Sequence, residues 1–138
     1  MSELFVDTSG WANLIDISQP FHTLSAKIYQ NARSEKQKII TTSYIITELV
    51  ALLASPLRIP RPKAIAFIQS LKTSPYVEVI YISKEMDTKA WELLINRQDK
   101  EWSLVDCSSF IVMQELRITE SLTSDHHFEQ AGFIRLLK

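Results

Sequence analysis

Apolar residues along this chain fall into short continuous runs separated by longer stretches of helical period. The run Leu4, Phe5, Val6 predicts a buried strand that ends at Asp7. Further strands are predicted at 38–41 and, most strongly, at 77–82, where β-branched and aromatic residues dominate. Two shorter ones are expected at 119–123 and 133–137. Between them, apolar residues recur every three or four positions. Trp11, Leu14 and Ile15 predict a helix from residue 8 or 9 to about 16, opened by a hydroxyl cap. Leu24, Ile28 and Tyr29 predict another over 21–34. Helices follow at 43–54, stopped before Pro56, and at 61–73, with Pro62 tolerated in the first turn. Later ones are expected at 84–97, at 103–117 and, briefly, at 126–131, with Gly132 as the stop. Strands that alternate with helices imply an α/β domain of three layers, α/β/α, around a central, mainly parallel sheet.

Length and composition narrow this picture. The 138 residues suit one domain over 1–138, and 46% hydrophobic with 22% charged residues is the composition of a folded soluble protein. A net charge of -1 gives no sign of a polyanion partner, so any nucleic-acid role must rest on a local site. Only Gly10 and Gly132 are glycines, which excludes a phosphate-cradling glycine loop. The single cysteine, Cys107, cannot form an intramolecular disulfide and is expected to pack as a small apolar residue. No run of about twenty apolar residues could span a bilayer, and the start of the chain lacks the pattern of a secretion signal. Cytoplasmic residence, without membrane association, is the expectation.

Candidate chemistry lies in four carboxylates. Asp7 closes the first predicted strand, Asp125 follows another, and Asp106 lies in the first turn of the helix at 103–117. Open parallel sheets collect ligands at the carboxyl ends of their strands. Glu48 lies mid-helix, and its aim depends on how that helix is rotated. Each acid also has an ordinary role. Asp7 and Asp125 could cap helices, Asp106 sits three residues after Ser103 in a capping-box position, and Glu48 could be a solvated helix acid. Acids about 4 Å apart repel by roughly 4 kcal/mol at an effective dielectric near 20. Convergence would therefore require a bound cation or raised pKa values; otherwise the four do not meet. An all-oxygen set favours Mg²⁺ or Mn²⁺, which would activate a water for phosphodiester hydrolysis.

Four segments carry a family resemblance. They are Phe5-Val6-Asp7-Thr8-Ser9-Gly10-Trp11, then Thr47-Glu48-Leu49, then the stretch from Trp102 through Val105-Asp106-Cys107 to Phe110, and finally Thr123-Ser124-Asp125-His126-His127-Phe128 on to Phe133. In this order they resemble the PIN domain of toxin ribonucleases of the VapC type, over essentially the whole chain. The resemblance implies that Asp7, Glu48, Asp106 and Asp125 form the catalytic, metal-holding tetrad. It puts supporting hydroxyls at Ser9, Ser103 and Thr123, and Val105 replaces a common threonine. It implies a Mg²⁺- or Mn²⁺-dependent endoribonuclease, the toxin of a type II toxin–antitoxin pair. The partners would be an RNA substrate, a cognate antitoxin and a second copy of the chain. The alternatives are a non-catalytic RNA- or protein-binding PIN module, and a phosphoryl-transfer domain with Asp7 as nucleophile. The last lacks a second acid two residues on, where Ser9 stands.

His126 and His127 suggest a softer metal, but no cysteine or third histidine lies nearby in sequence, which argues against zinc. His127 is expected to pack the short helix and His126 to reach solvent or substrate. Arg58, Arg61 and Lys63, with Lys36, Lys38, Arg97 and Lys100, read as solvated surface unless they flank the acids and hold an RNA backbone. Trp102 could stack on bases, whereas Trp11 is expected in the core.

Overall fold

The computed structural model describes residues 2–138. Five strands, β1 (Leu4–Val6), β2 (Ile39–Thr42), β3 (Val77–Ile80), β4 (Glu120–Leu122) and β5 (Ile134–Arg135), form one sheet in the order β3-β2-β1-β4-β5. Every pairing is parallel, so the sheet is wholly rather than mainly so. Seven helices connect and cover them: α1 (Thr8–Ile15), α2 (His22–Ser34), α3 (Ser43–Ala54), α4 (Arg61–Thr73), α5 (Lys84–Asn96), α6 (Leu104–Leu116) and α7 (His127–Gln130). The result is the expected three-layer α/β/α sandwich. Residues of β1 and β2 are buried along their whole length, as a sheet covered on both faces demands.

The chain starts at the centre of the sheet, builds outward through β2 to β3, and then returns through α5 and α6 to β4 on the other side of β1. The order reverses between β1 and β4, and such a switch point opens a crevice at the carboxyl ends of the strands. Gly10 makes this junction possible. A Cβ there would lie 2.2 Å from the Leu122 carbonyl oxygen and 2.8 Å from Val6 Cγ1, so only a glycine lets α1 cross the end of β4.

Predicted strands are longer than observed ones where pairing stops. β2 ends at Thr42, opposite Ile80, so Tyr81 lies exposed and the Ile82 N–H turns to the Ser43 hydroxyl. The last strand is shorter than 133–137, although backbone bonds from Leu136 and Leu137 to Ser121 and Thr123 continue its direction. α2 begins at His22, one residue after the predicted Phe21, and α7 occupies the middle of 126–131. Gly132 adopts φ 95° just past α7, as a helix stop. An aromatic cluster holds α6 and α7 against β1. Phe110 meets Trp102 and Phe128 edge-on at 5.0 Å each, and Phe128 reaches Phe5 at 6.3 Å. Trp11 is fully buried, as expected. Trp102 is buried too and donates to Gln130, so it is not free to stack on a base.

Candidate active site

The four acids come together. One pocket of about 240 Å³ is lined by Asp7, Thr8, Ser9, Glu48, Leu52, Asp106 and Asp125. It opens at the crevice between the carboxyl ends of β1 and β4.

Asp7 follows β1 and caps α1, so its capping role and its place in the pocket are compatible. Its Oδ1 accepts from the Gly10 N–H at 2.9 Å and the Ser9 hydroxyl at 2.7 Å, and its Oδ2 from the Thr123 hydroxyl at 2.6 Å. Burial pushes its pKa up to about 7 against those three hydrogen bonds, and the neighbouring charge of Asp125 adds to the rise. The hydroxyls that hold Asp7 are themselves held. Thr123 Oγ1 accepts from the Asp125 N–H at 3.0 Å, and Ser9 Oγ from the Ser124 N–H at 2.9 Å.

Asp106 closes a capping box at the start of α6, as its spacing from Ser103 predicted. Its Oδ2 accepts from the Ser103 N–H at 3.1 Å, so Ser103 orients it through the backbone while its hydroxyl accepts from the Asp106 N–H. Burial raises the Asp106 pKa, opposed by that backbone bond and reinforced by Asp125. Asp125 stands before α7, where its Oδ1 accepts from the His127 N–H at 2.9 Å. Glu48 projects from the exposed face of α3, and its Oε1 accepts a short hydrogen bond from the Thr8 hydroxyl.

Among the described residues, no lysine or arginine forms an ion pair with any of the four acids. Each acid nevertheless keeps acceptor capacity that no protein donor uses: the second lone pair of Asp7 Oδ2, Glu48 Oε2, Asp106 Oδ1 and Asp125 Oδ2. One buried acid and three more exposed ones, with spare acceptor capacity and no lysine or arginine partner, fit a hard divalent cation, which would remove the burial cost carried by Asp7.

Two contributors lay beyond the sequence reading. Thr8, expected only as part of a helix start, tethers Glu48. Its signal is adjacency: the first residue of a helix capped by Asp7 must lie beside Asp7. His127 does not simply pack its helix, as expected, because its ring turns to the acids, with Nδ1 3.0 Å from Asp106 Oδ2. His126 is the exposed member of the pair, as predicted. Cys107 is buried, and burial raises its thiol pKa to about 11, which suits packing and not nucleophilic attack. Of the basic groups, Lys38 pairs with Glu78 and Arg97 with Asp99, as ordinary surface does. No helix of the described residues is long and apolar enough to cross a membrane.

Comparison with known proteins identifies the family and the fold. The PIN-domain family model matches residues 4–134. The chain is 29% identical over 133 residues to the 23S rRNA-specific endonuclease VapC20 of Mycobacterium tuberculosis, covering 96% of this chain and 97% of that protein. Its structure is similar to the crystal structure of the same M. tuberculosis protein, described as a Sarcin-Ricin loop cleaving toxin. The TM-score is 0.84 at 26% identity, over 99% of this chain and 100% of that one. More distant likenesses, in fold alone, are VapBC2 from Rickettsia felis, bound to a DNA fragment from their promoter, and FitAcB from Neisseria gonorrhoeae. Their TM-scores are 0.67 and 0.64 at 12% and 13% identity, covering 96% and 98% of this chain and 95% and 96% of theirs.

Proposed function

This chain belongs to the PIN-domain family, and from that premise we propose that it is a metal-dependent endoribonuclease, the toxin of a type II toxin–antitoxin pair. One observation carries the reading: four carboxylates line one pocket, each with acceptor capacity that no protein donor uses, and no lysine or arginine among the described residues is paired with them. Asp7, Glu48, Asp106 and Asp125 are proposed as the catalytic, metal-holding residues, and the described chain as a single PIN domain. The donor set favours Mg²⁺ or Mn²⁺. When bound, the cation supplies charge neutralisation for the scissile phosphate and activation of a water.

The protein's own part is preorganisation. Gly10, Ser9 and Thr123 fix the plane of the Asp7 carboxylate, and Thr8 draws Glu48 toward the same pocket. The capping box fixes Asp106, and the turn at His127 fixes Asp125. Hydrolysis by an activated water needs no covalent enzyme intermediate, and the Cys107 thiol is buried away from such a role.

Ribosomal RNA is the proposed substrate, since the relative with 29% identity is a 23S rRNA-specific endonuclease. A cognate antitoxin, homodimerisation and a cytoplasmic setting belong to the same reading. The purified protein is expected to cut intact ribosomes or their 23S rRNA with Mg²⁺ or Mn²⁺, and to stop in EDTA. Asp7→Asn and Asp106→Asn are expected to lose most of the activity. Undiminished cleavage by the Asp7→Asn protein would sink the mechanism.

A further inference from the structure

We propose that His127 is a positioning residue, whose imidazole ties Asp106 to Asp125 and so sets the spacing of the two carboxylate oxygens offered to the cation. The proposal rests on the metal-dependent reading above and concerns a residue outside the tetrad.

Asp106 and Asp125 belong to different elements, the start of α6 and the turn before α7, and no covalent constraint fixes their separation. The imidazole joins them. Its Nδ1 lies 3.0 Å from Asp106 Oδ2 and 3.3 Å from Asp125 Oδ1. Carboxylates only accept, so Nδ1 carries the hydrogen and donates to Asp106, with Asp125 as the second, longer contact. Both of those oxygens also accept a backbone N–H, from Ser103 and from His127 itself. Backbone and imidazole donors therefore fall on the same oxygen of each acid. They fix each carboxylate plane and leave Asp106 Oδ1 and Asp125 Oδ2 for the cation.

The ring is held firmly enough to act as a spacer. Its side chain is only 17% exposed, and the adjoining Phe128 is locked between Phe5 and Phe110. His126 provides an internal contrast. It has the same chemistry one residue earlier, but its side chain is 64% exposed and its Nδ1 comes no nearer than 3.7 Å to Asp125. His127 bridges two acids, and His126 bridges none.

Titration of the whole protein with Mn²⁺ alone, followed by calorimetry, tests the proposal without turnover. His127→Ala is expected to weaken Mn²⁺ binding roughly 10- to 100-fold, the usual effect of losing a group that orients a metal-binding carboxylate. His127→Asn places an amide nitrogen where Nδ1 sits and is expected to restore affinity to within about threefold. His127→Gln, equally polar but with its nitrogen displaced, is not. Comparing these two polar variants keeps the test valid should His127→Ala fail to fold. His126→Ala is expected to bind as the parent does. Parent-like affinity in His127→Ala overturns the proposal, and so does an Asn variant no better than the Gln variant. Nitrogen hyperfine coupling to Mn²⁺ in the parent's pulsed-EPR spectrum that disappears in His127→Ala also overturns it, by making His127 a direct ligand. Failure of the parent itself to bind Mn²⁺ removes the metal-dependent reading and this proposal with it, whereas parent binding with an unaffected His127→Ala removes this proposal alone.

Discussion

Asp7 and Glu48 face the same pocket, yet they are held in opposite ways. Asp7 is buried at the switch point of the sheet, with three donors on its two oxygens. Glu48 rides the exposed face of α3 and is restrained by the Thr8 hydroxyl. The first arrangement fixes a carboxylate to within a rotamer at the cost of desolvating it. The second leaves the carboxylate hydrated and adjustable. A site with one rigid acid and one compliant acid can define where a cation sits and still accommodate changes in its ligands during turnover. Substitutions that exchange these properties test the contrast.

Asp7→Asn is expected to have the largest effect. The amide keeps the shape and the acceptor for Gly10 and Ser9 but removes the charge. We expect a roughly thousandfold loss of RNA cleavage, equivalent to about 4 kcal/mol in the barrier. Stability should move the other way in metal-free protein. The folded-state pKa of Asp7 is about 7, above the ordinary 3.8, so between those values the folded state holds a proton that the unfolded chain has released. Its contribution is fully present below about pH 4 and is lost as pH rises through about 7. At 1.36 kcal/mol per unit, the loss is on the order of 4 kcal/mol. Thermal melts in EDTA should therefore show the parent losing stability from pH 4 to 8. Asp7→Asn should lose much less and be the more stable protein at pH 8. Parallel curves for the two proteins would contradict the desolvated state of Asp7.

Rigidity at Asp7 also depends on the backbone beneath it. Gly10→Ala sets a methyl group 2.2 Å from the Leu122 carbonyl oxygen, which must force α1 away from β4. Overpacking of this kind costs about 3 kcal/mol at the upper end of the usual range. Denaturant melts should register that loss, and the same shift should lower Mn²⁺ affinity because Gly10 is a donor to Asp7. Unchanged stability would mean that the junction is looser than its geometry.

How much of this was legible beforehand follows the same contrast. Asp7, Asp106 and Asp125 were legible because strand ends and helix starts are marked in sequence by where apolar runs stop and caps begin. The strands of the sheet were legible for the same reason, although their order, with β1 at the centre, was not. Its strand ends were not, because the length of β3 depends on where its neighbour β2 ends. Glu48 could be placed on a helix but not aimed, since helix rotation is settled by packing. The bridge from His127 to Asp106 joins residues separated by 21 positions. No local pattern encodes that contact; the aromatic packing of Phe110 and Phe128 creates it.

The smallest predicted effect is the most discriminating. Thr123 and Thr8 both donate a hydroxyl to a pocket acid, but Thr123 is buried and serves three groups, Asp7, the Asp125 N–H and Ser9. Thr8 serves Glu48. Valine is nearly the same size as threonine and differs in losing the hydroxyl. Thr123→Val leaves the Asp125 N–H without its partner and Asp7 with one donor fewer, so a roughly 10- to 100-fold loss of Mn²⁺ affinity is expected. Thr8→Val releases an exposed carboxylate that water can solvate, and the expected loss is only about two- to threefold, in line with the net value of about 1 kcal/mol or less for a typical hydrogen bond. Mn²⁺ calorimetry on the two variants reads the difference directly. Equal losses would mean that Glu48 is held as firmly as Asp7, and the distinction between a rigid and a compliant acid would have to be given up.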